Sequence, residues 1–222
     1  WCNQLNLSNG ASILPYKIHQ FIPQTGNVYL TIGDQASRQI TVEEKLYCKE
    51  LSHGDVKIMY YPVVFSRLSG HEFYVIKIIG STIMPRNFDG YATGDGDSDV
   101  NDGYIILPHH GESVDDYMLD ITSDDIPSDW YTTNKKGVRK LKKTYEARIP
   151  QKIYVTQSGA YSPTEPLDGM GYMEAVFVPS PLMYDPTARA IYKGKQSEYS
   201  KLSRIGGEGR STATTVLSYE DI

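Results

Sequence analysis

Short runs of β-branched and aromatic residues, each stopped by glycine, proline, asparagine or aspartate, dominate this chain, while sustained 3.6-residue periodicity is scarce. Residues 28–32, 38–42, 46–50, 56–65, 72–79, 104–107, 145–149, 152–156, 171–178 and 214–219 read as strands. Gly33-Asp34 and Ser69-Gly70 sit between neighbouring runs and predict two hairpins. Pro62 has no amide N–H, so part of 56–65 is expected at an edge or a bend. The best helical stretch is 185–204, where Asp185 is a capping residue, Pro186 suits the first turn and Gly206-Gly207 a stop. A helical turn is also expected at 113–119. Many short strands without alternating helices predict an all-β chain, an antiparallel β-sandwich or jelly roll of about 8–10 strands with at most one or two short helices. One domain is expected over residues 1–205, followed by a polar, glycine-rich, flexible tail at 206–222.

Charge is distributed unevenly. Residues 87–134 hold twelve carboxylates and no Lys or Arg, and residues 135–143 then carry six positive charges. The net charge is −5, and outside these two segments the chain is almost neutral. The acidic stretch reads as a long insertion that must be solvated, neutralised by the basic run, or bound to cations. An acidic balance argues against nucleic-acid binding, which depends on neutralising phosphates. The longest apolar runs fall well short of the roughly 18 residues of a membrane helix, so no membrane insertion is expected.

Within the acidic stretch, residues 94–103 read GDGDSDVNDG. Asp95, Asp97 and Asp99 alternate, and Asn101 and Asp102 follow; such oxygen donors in a glycine-rich loop suit a hard cation. The segment resembles the Asp-rich loops of calcium-binding families such as EF-hands and thrombospondin-type repeats. That resemblance implies a calcium site on Asp95, Asp97, Asp99, Asn101 and Asp102. Counted from Asp95, Val100 stands where the EF-hand has glycine and Ile106 where it has a bidentate Glu, which implies weak binding. No other cofactor is expected. His109-His110 is a second metal candidate, although adjacent residues ligate one ion awkwardly and Pro108 and Gly111 suggest a turn.

The two cysteines, Cys2 and Cys48, are expected to form one disulfide, closing a loop worth roughly 3–4 kcal/mol on the chain-entropy model. The first residue is Trp1, which reads as a processed or excised chain, and Asn6-Leu7-Ser8 fits the N-glycosylation pattern. Together these predict a secreted or surface-exposed protein. Eighteen Tyr against five Phe and two Trp suit half-exposed sheets and binding surfaces.

No nucleophile elbow, HExxH zinc motif, Walker loop or dinucleotide fingerprint occurs, and the five histidines show no acid–base spacing. The expected role is therefore not enzymatic. It is an extracellular binding module, adhesin-like, recognising a cell-surface glycan or protein receptor. Trp130 and Tyr131 are the expected contact aromatics, with Lys135, Lys136 and Arg139 as a neighbouring cationic patch. The alternative is a self-assembling structural subunit of a viral capsid or pilus, with a secreted hydrolase a more distant third.

Overall fold

The computed structural model describes residues 27–88, 100–122, 126–133, 139–167, 171–192 and 196–205. Among these the chain is all-β and antiparallel, with β-sandwich character and almost no helix. Its strands are β1 (Val28–Thr31), β2 (Ile40–Thr41), β3 (Tyr47–His53), β4 (Val56–Ser66), β5 (Glu72–Ile79), β6 (Thr82–Pro85), β7 (Val100–Ile106), β8 (Tyr131–Thr133), β9 (Arg139–Leu141), β10 (Gln151–Thr156), β11 (Tyr161–Ser162), β12 (Tyr172–Pro179), β13 (Tyr184–Asp185), β14 (Ala190–Ile191) and β15 (Leu202–Ser203). A four-residue helix, α1 (Lys143–Glu146), lies between β9 and β10. Eleven strands form one sheet, in the order β11-β10-β12-β7-β5-β4-β1-β2, with β3 and β15 attached to β4 and β6 to β5.

The central strands are apolar on both faces because both faces are covered. On β5, Tyr74, Ile76 and Ile78 point into one cluster, while Phe73 and Val75 point into another. A continuous apolar run such as FYVIKII is the signature of that double burial. The sheet encloses the first cluster by curling. β6 leaves β5 and meets the β10–β11 turn, where the Ile83 amide donates to the Gly159 carbonyl at 2.8 Å and the Tyr161 amide to the Ser81 carbonyl at 2.8 Å. Loops, the 3₁₀ turn at Val114–Tyr117 and β15 cover the second cluster, through Phe88, Val114, Tyr117, Leu182 and Leu202.

Two glycines mark where backbones come too close for a side chain. A Cβ on Gly103 would stand 2.5 Å from both the Phe177 ring and the Val178 carbonyl oxygen. Gly159 has φ +90, and a Cβ there would meet Met59 at 2.8 Å and the Tyr61 hydroxyl at 2.9 Å. Gly159 thus permits the contact that closes the curl.

Both expected hairpins form, as β1–β2 and β4–β5. Four other expectations change. The acidic stretch is not all insertion: its residues 100–106 are β7, a central strand between β12 and β5. Pro62 lies in a central strand and not at an edge; it stands opposite Tyr29 in the β1–β4 ladder, and on its other side it falls between the β4 residues that pair with β3 and those that pair with β5, so no β3 or β5 partner is in register with it. Residues 145–149 are not a strand: Tyr145 and Glu146 complete α1, and 147–149 form the turn after it. Asp185 does cap, since its carboxylate accepts from the Thr187 and Ala188 amides at 3.0 and 3.2 Å, but it caps a turn that ends at Arg189 (φ 50). The helix expected at 185–204 is replaced by β13, β14, a 3₁₀ turn and β15. The turn at 113–119 is a 3₁₀ turn, Val114–Tyr117, capped by Ser113.

A buried ion pair fastens β15. Glu198 and Lys201 are almost fully enclosed and lie 3.4 Å apart. Glu198 also accepts from the Tyr104 hydroxyl and from the Leu182 amide at 2.8 Å, and Lys201 donates to the Leu182 carbonyl at 2.7 Å. Burying two charges is tolerable here because each has further hydrogen-bond partners.

Two stability outcomes are expected in urea unfolding. Gly159→Ala should lower stability by roughly 1–3 kcal/mol, because alanine meets both the positive φ and the crowded site. Lys201→Met should cost about 3–5 kcal/mol by stranding the Glu198 charge, and the double change with Glu198→Gln should recover part of that loss. Additive losses would show that the two groups are not coupled.

Candidate functional site

The antiparallel β5–β7 ladder pairs Tyr74 with Ile105, so the start of β5 lies beside the end of β7. His71 and Glu72 stand at the first point, and His109 stands just past the second. The three groups come together although they are far apart in sequence. Their candidate ligand atoms all lie within 4.8 Å of one another.

Glu72 is the hub. It is buried, one carboxylate oxygen accepts from the Arg38 guanidinium, and the other lies 3.3 Å from His109 Nε2. Arg38 precedes β2, so this contact also ties the far side of the sheet to β5. His71 is buried, with Nε2 3.3 Å from the Leu107 carbonyl oxygen, which places a proton on Nε2 and leaves Nδ1 as the free lone pair. The His71 and His109 rings stack at 3.9 Å between centroids and 12° between planes. Tyr117 stands edge-on to His71 at 5.7 Å.

The turn after β7 aims His109 at this cluster. Gly111 takes φ +88, which lets the Glu112 amide donate to the His109 carbonyl at 3.0 Å. The Glu112 carboxylate accepts in return from the His109 amide at 2.9 Å and from the Tyr117 hydroxyl. Beneath Glu72 on the same face of β5, Tyr74 is fully buried, with the Arg38 guanidinium close to its hydroxyl.

The electrostatics follow from these contacts. Burial alone would raise the Glu72 pKa, but hydrogen bonds from His109 and Arg38 outweigh it and hold the group well below the ordinary carboxylate range. The hydrogen bond to Glu72 raises His109 above an ordinary histidine. Burial, and then the neighbouring His109 charge, lower His71. Burial pushes Tyr74 up to about 12. The hydrogen bond from Tyr117 lowers Glu112. The arrangement therefore sets one imidazole that holds its proton more firmly and one that releases it more readily beside a single carboxylate, at a place where the His109 side chain reaches solvent.

The residues singled out from sequence fall elsewhere or only partly here. Asp95, Asp97 and Asp99 lie outside the described residues, as do Lys135, Lys136 and Cys2. Asn101 and Asp102 are on β7; Asp102 pairs in register with Lys77, and its carboxylate lies 3.8 Å from Arg86 Nε. Trp130 is buried and stacks on Tyr145 at 4.7 Å, so its ring supports the β8–β9 hairpin from within and does not face a partner. Tyr131 is half-buried, donates to the Ile121 carbonyl and lies under Arg139 at 4.4 Å. Cys48 is buried, and its thiol donates to Glu50 at 3.3 Å. His109 finds its partners across the sheet, not in exposed His110. Arg38, His71, Glu72, Glu112 and Tyr117 carried no signal in the sequence, because only strand pairing brings them together.

Comparison of the chain with protein-family models, with curated proteins and with solved structures finds no match in any of the three.

The pH behaviour has a definite sign. His109 is raised, so its pairing with Glu72 stabilises the fold below the unfolded value of about 6.5 and is lost as pH rises through the folded value. His71 is lowered, so it opposes folding as pH falls below about 6.5. Glu72 is lowered, so its contribution is present above about 4.3 and is lost as pH falls through its folded value. An NMR titration of the imidazoles should find His109 above and His71 below an ordinary histidine, and Glu72→Gln should bring His109 down. Two histidines titrating together would refute this arrangement.

Proposed function

We propose that this protein is a structural subunit that assembles with copies of itself, with the β2–β3 corner as the contact surface. One observation carries this reading. Ile40 (69% exposed), Val42 (61%), Leu46 and Tyr47 are all exposed within residues 40–47, and exposed Val56 (54%) begins β4, the strand that pairs with β3. Exposed apolar side chains gathered on one short segment suit a protein interface. β2 also ends the sheet path, so its outer edge pairs with no strand among the described residues and offers backbone donors and acceptors to another strand.

The charges around this corner suit a second copy. Glu43, Glu44 and Glu50 alternate with Lys45, Lys49 and Lys57 over a short distance. A surface with both signs in balance can meet itself about a two-fold axis without net repulsion. Self-assembly is favoured over glycan recognition because Trp130, the aromatic expected to contact a glycan, is turned into the protein.

Sedimentation over a range of concentrations tests the assembly. The chain should exceed its monomer mass of 25.0 kDa as concentration rises. Ile40→Lys combined with Val42→Lys should return it to the monomer without lowering its melting temperature, since both side chains are exposed. A chain that stays monomeric at all concentrations, or a variant that associates as before, removes this reading.

A further inference from the structure

We propose that His71, Glu72 and His109 form a binding site for a divalent first-row transition ion of the zinc class, with His71 Nδ1, Glu72 Oε2 and His109 Nε2 as ligands. The proposal does not depend on self-assembly.

The donor chemistry fits. Two imidazoles and one carboxylate are borderline ligands that favour zinc and its neighbours over calcium or magnesium. Three protein ligands with one side open to solvent leave room for a bound water. The spacing is close to what an ion needs. Glu72 Oε2 and His109 Nε2 are 3.3 Å apart. Two ligands of a tetrahedral zinc, each at roughly 2.0–2.1 Å, stand about 3.4 Å apart.

The surrounding groups act as supporting partners. His71 donates Nε2–H to the Leu107 carbonyl, the contact that fixes a ligating histidine with its other nitrogen free. Arg38 holds Glu72 Oε1 and so leaves Oε2 for the ion. Glu112 orients the His109 backbone. Tyr74, two residues along β5 on the same face, is fully buried, and both the Arg38 guanidinium and the Glu72 carboxylate act on its hydroxyl.

Binding requires one movement. Two nearly parallel stacked rings cannot both hold one ion in their planes, so His109 must swing off His71. His109 is the group free to do so, because about half of its side chain is exposed while His71 is enclosed. The ion would take the place of the proton between His109 and Glu72, and would clamp the post-β7 turn to the start of β5.

The test uses the tag-free full chain titrated with Co2+ and with Zn2+. Co2+ should give the visible absorption of a nitrogen-ligated ion, and Zn2+ should displace it. Zn2+ at about a hundredfold excess over its Kd should raise the melting temperature by roughly 5 °C or more. His109→Ala should weaken binding at least about tenfold. It is the variant of choice because the residue is exposed; Glu72→Gln is the companion, with a thermal melt to show that it folds. A His53→Ala, His110→Ala double variant should bind as the parent does. Absence of the cobalt band overturns the site. So does a band that survives both His109→Ala and Glu72→Gln, which would place the ion elsewhere on the chain.

Discussion

The antiparallel ladder between β5 and β7 is the contact on which most of the molecule depends. It joins the two halves of the sheet, with β4, β1 and β2 on one side and β12, β10 and β11 on the other. It lays Tyr74, Ile76 and Ile105 into one apolar layer and Phe73, Val75, Tyr104 and Ile106 into the other. A slip of one residue would exchange the two sets and turn Glu72 away from Arg38. The register that packs the core is therefore also the register that assembles the His71–Glu72–His109 cluster. Closing the curl through β6 and Gly159 then removes one sheet edge, leaving β2 and β3 as the margin where apolar groups meet solvent.

Two buried carboxylates are handled in different ways. Glu198 is held by Lys201, Tyr104 and a backbone amide, deep beside β15, where its neighbours occupy it fully. Glu72 is held by Arg38 on one oxygen and by a movable imidazole on the other. The first arrangement suits a structural cross-link. The second leaves one bond that a proton or an ion can exchange, and it sits where His109 reaches water. This difference in mobility, and not the charge alone, separates a cross-link from a site.

The strands were largely legible because burial on a pleated surface demands β-branched and aromatic side chains, and both hairpins were announced by their turn residues. Legibility failed where a local signal had more than one solution. Asp185 can start a helix or cap a turn, and Ser66, Thr187 and Tyr192 engage it in the turn. Pro62 can mark an edge or sit in a central strand, and it is accommodated here because one side of β4 changes partner from β3 to β5 at that point while the other side pairs with β1. The acidic stretch looked like an insertion because its carboxylates overshadowed the apolar run that becomes β7. Trp130 could face either way, and Tyr145, brought beside it by α1, decided that it faces in.

The order of polar and apolar residues alone determined that this chain would be antiparallel and all-β, since side-chain alternation and turn chemistry act over a few neighbours. Tertiary structure alone decided which strands lie side by side, which margin stays uncovered, and which titratable groups meet. Arg38, Glu72 and His109 are separated by more than thirty residues at each step, and no local rule relates them. Only the long-range pairing of strands brings their charges within a few ångströms.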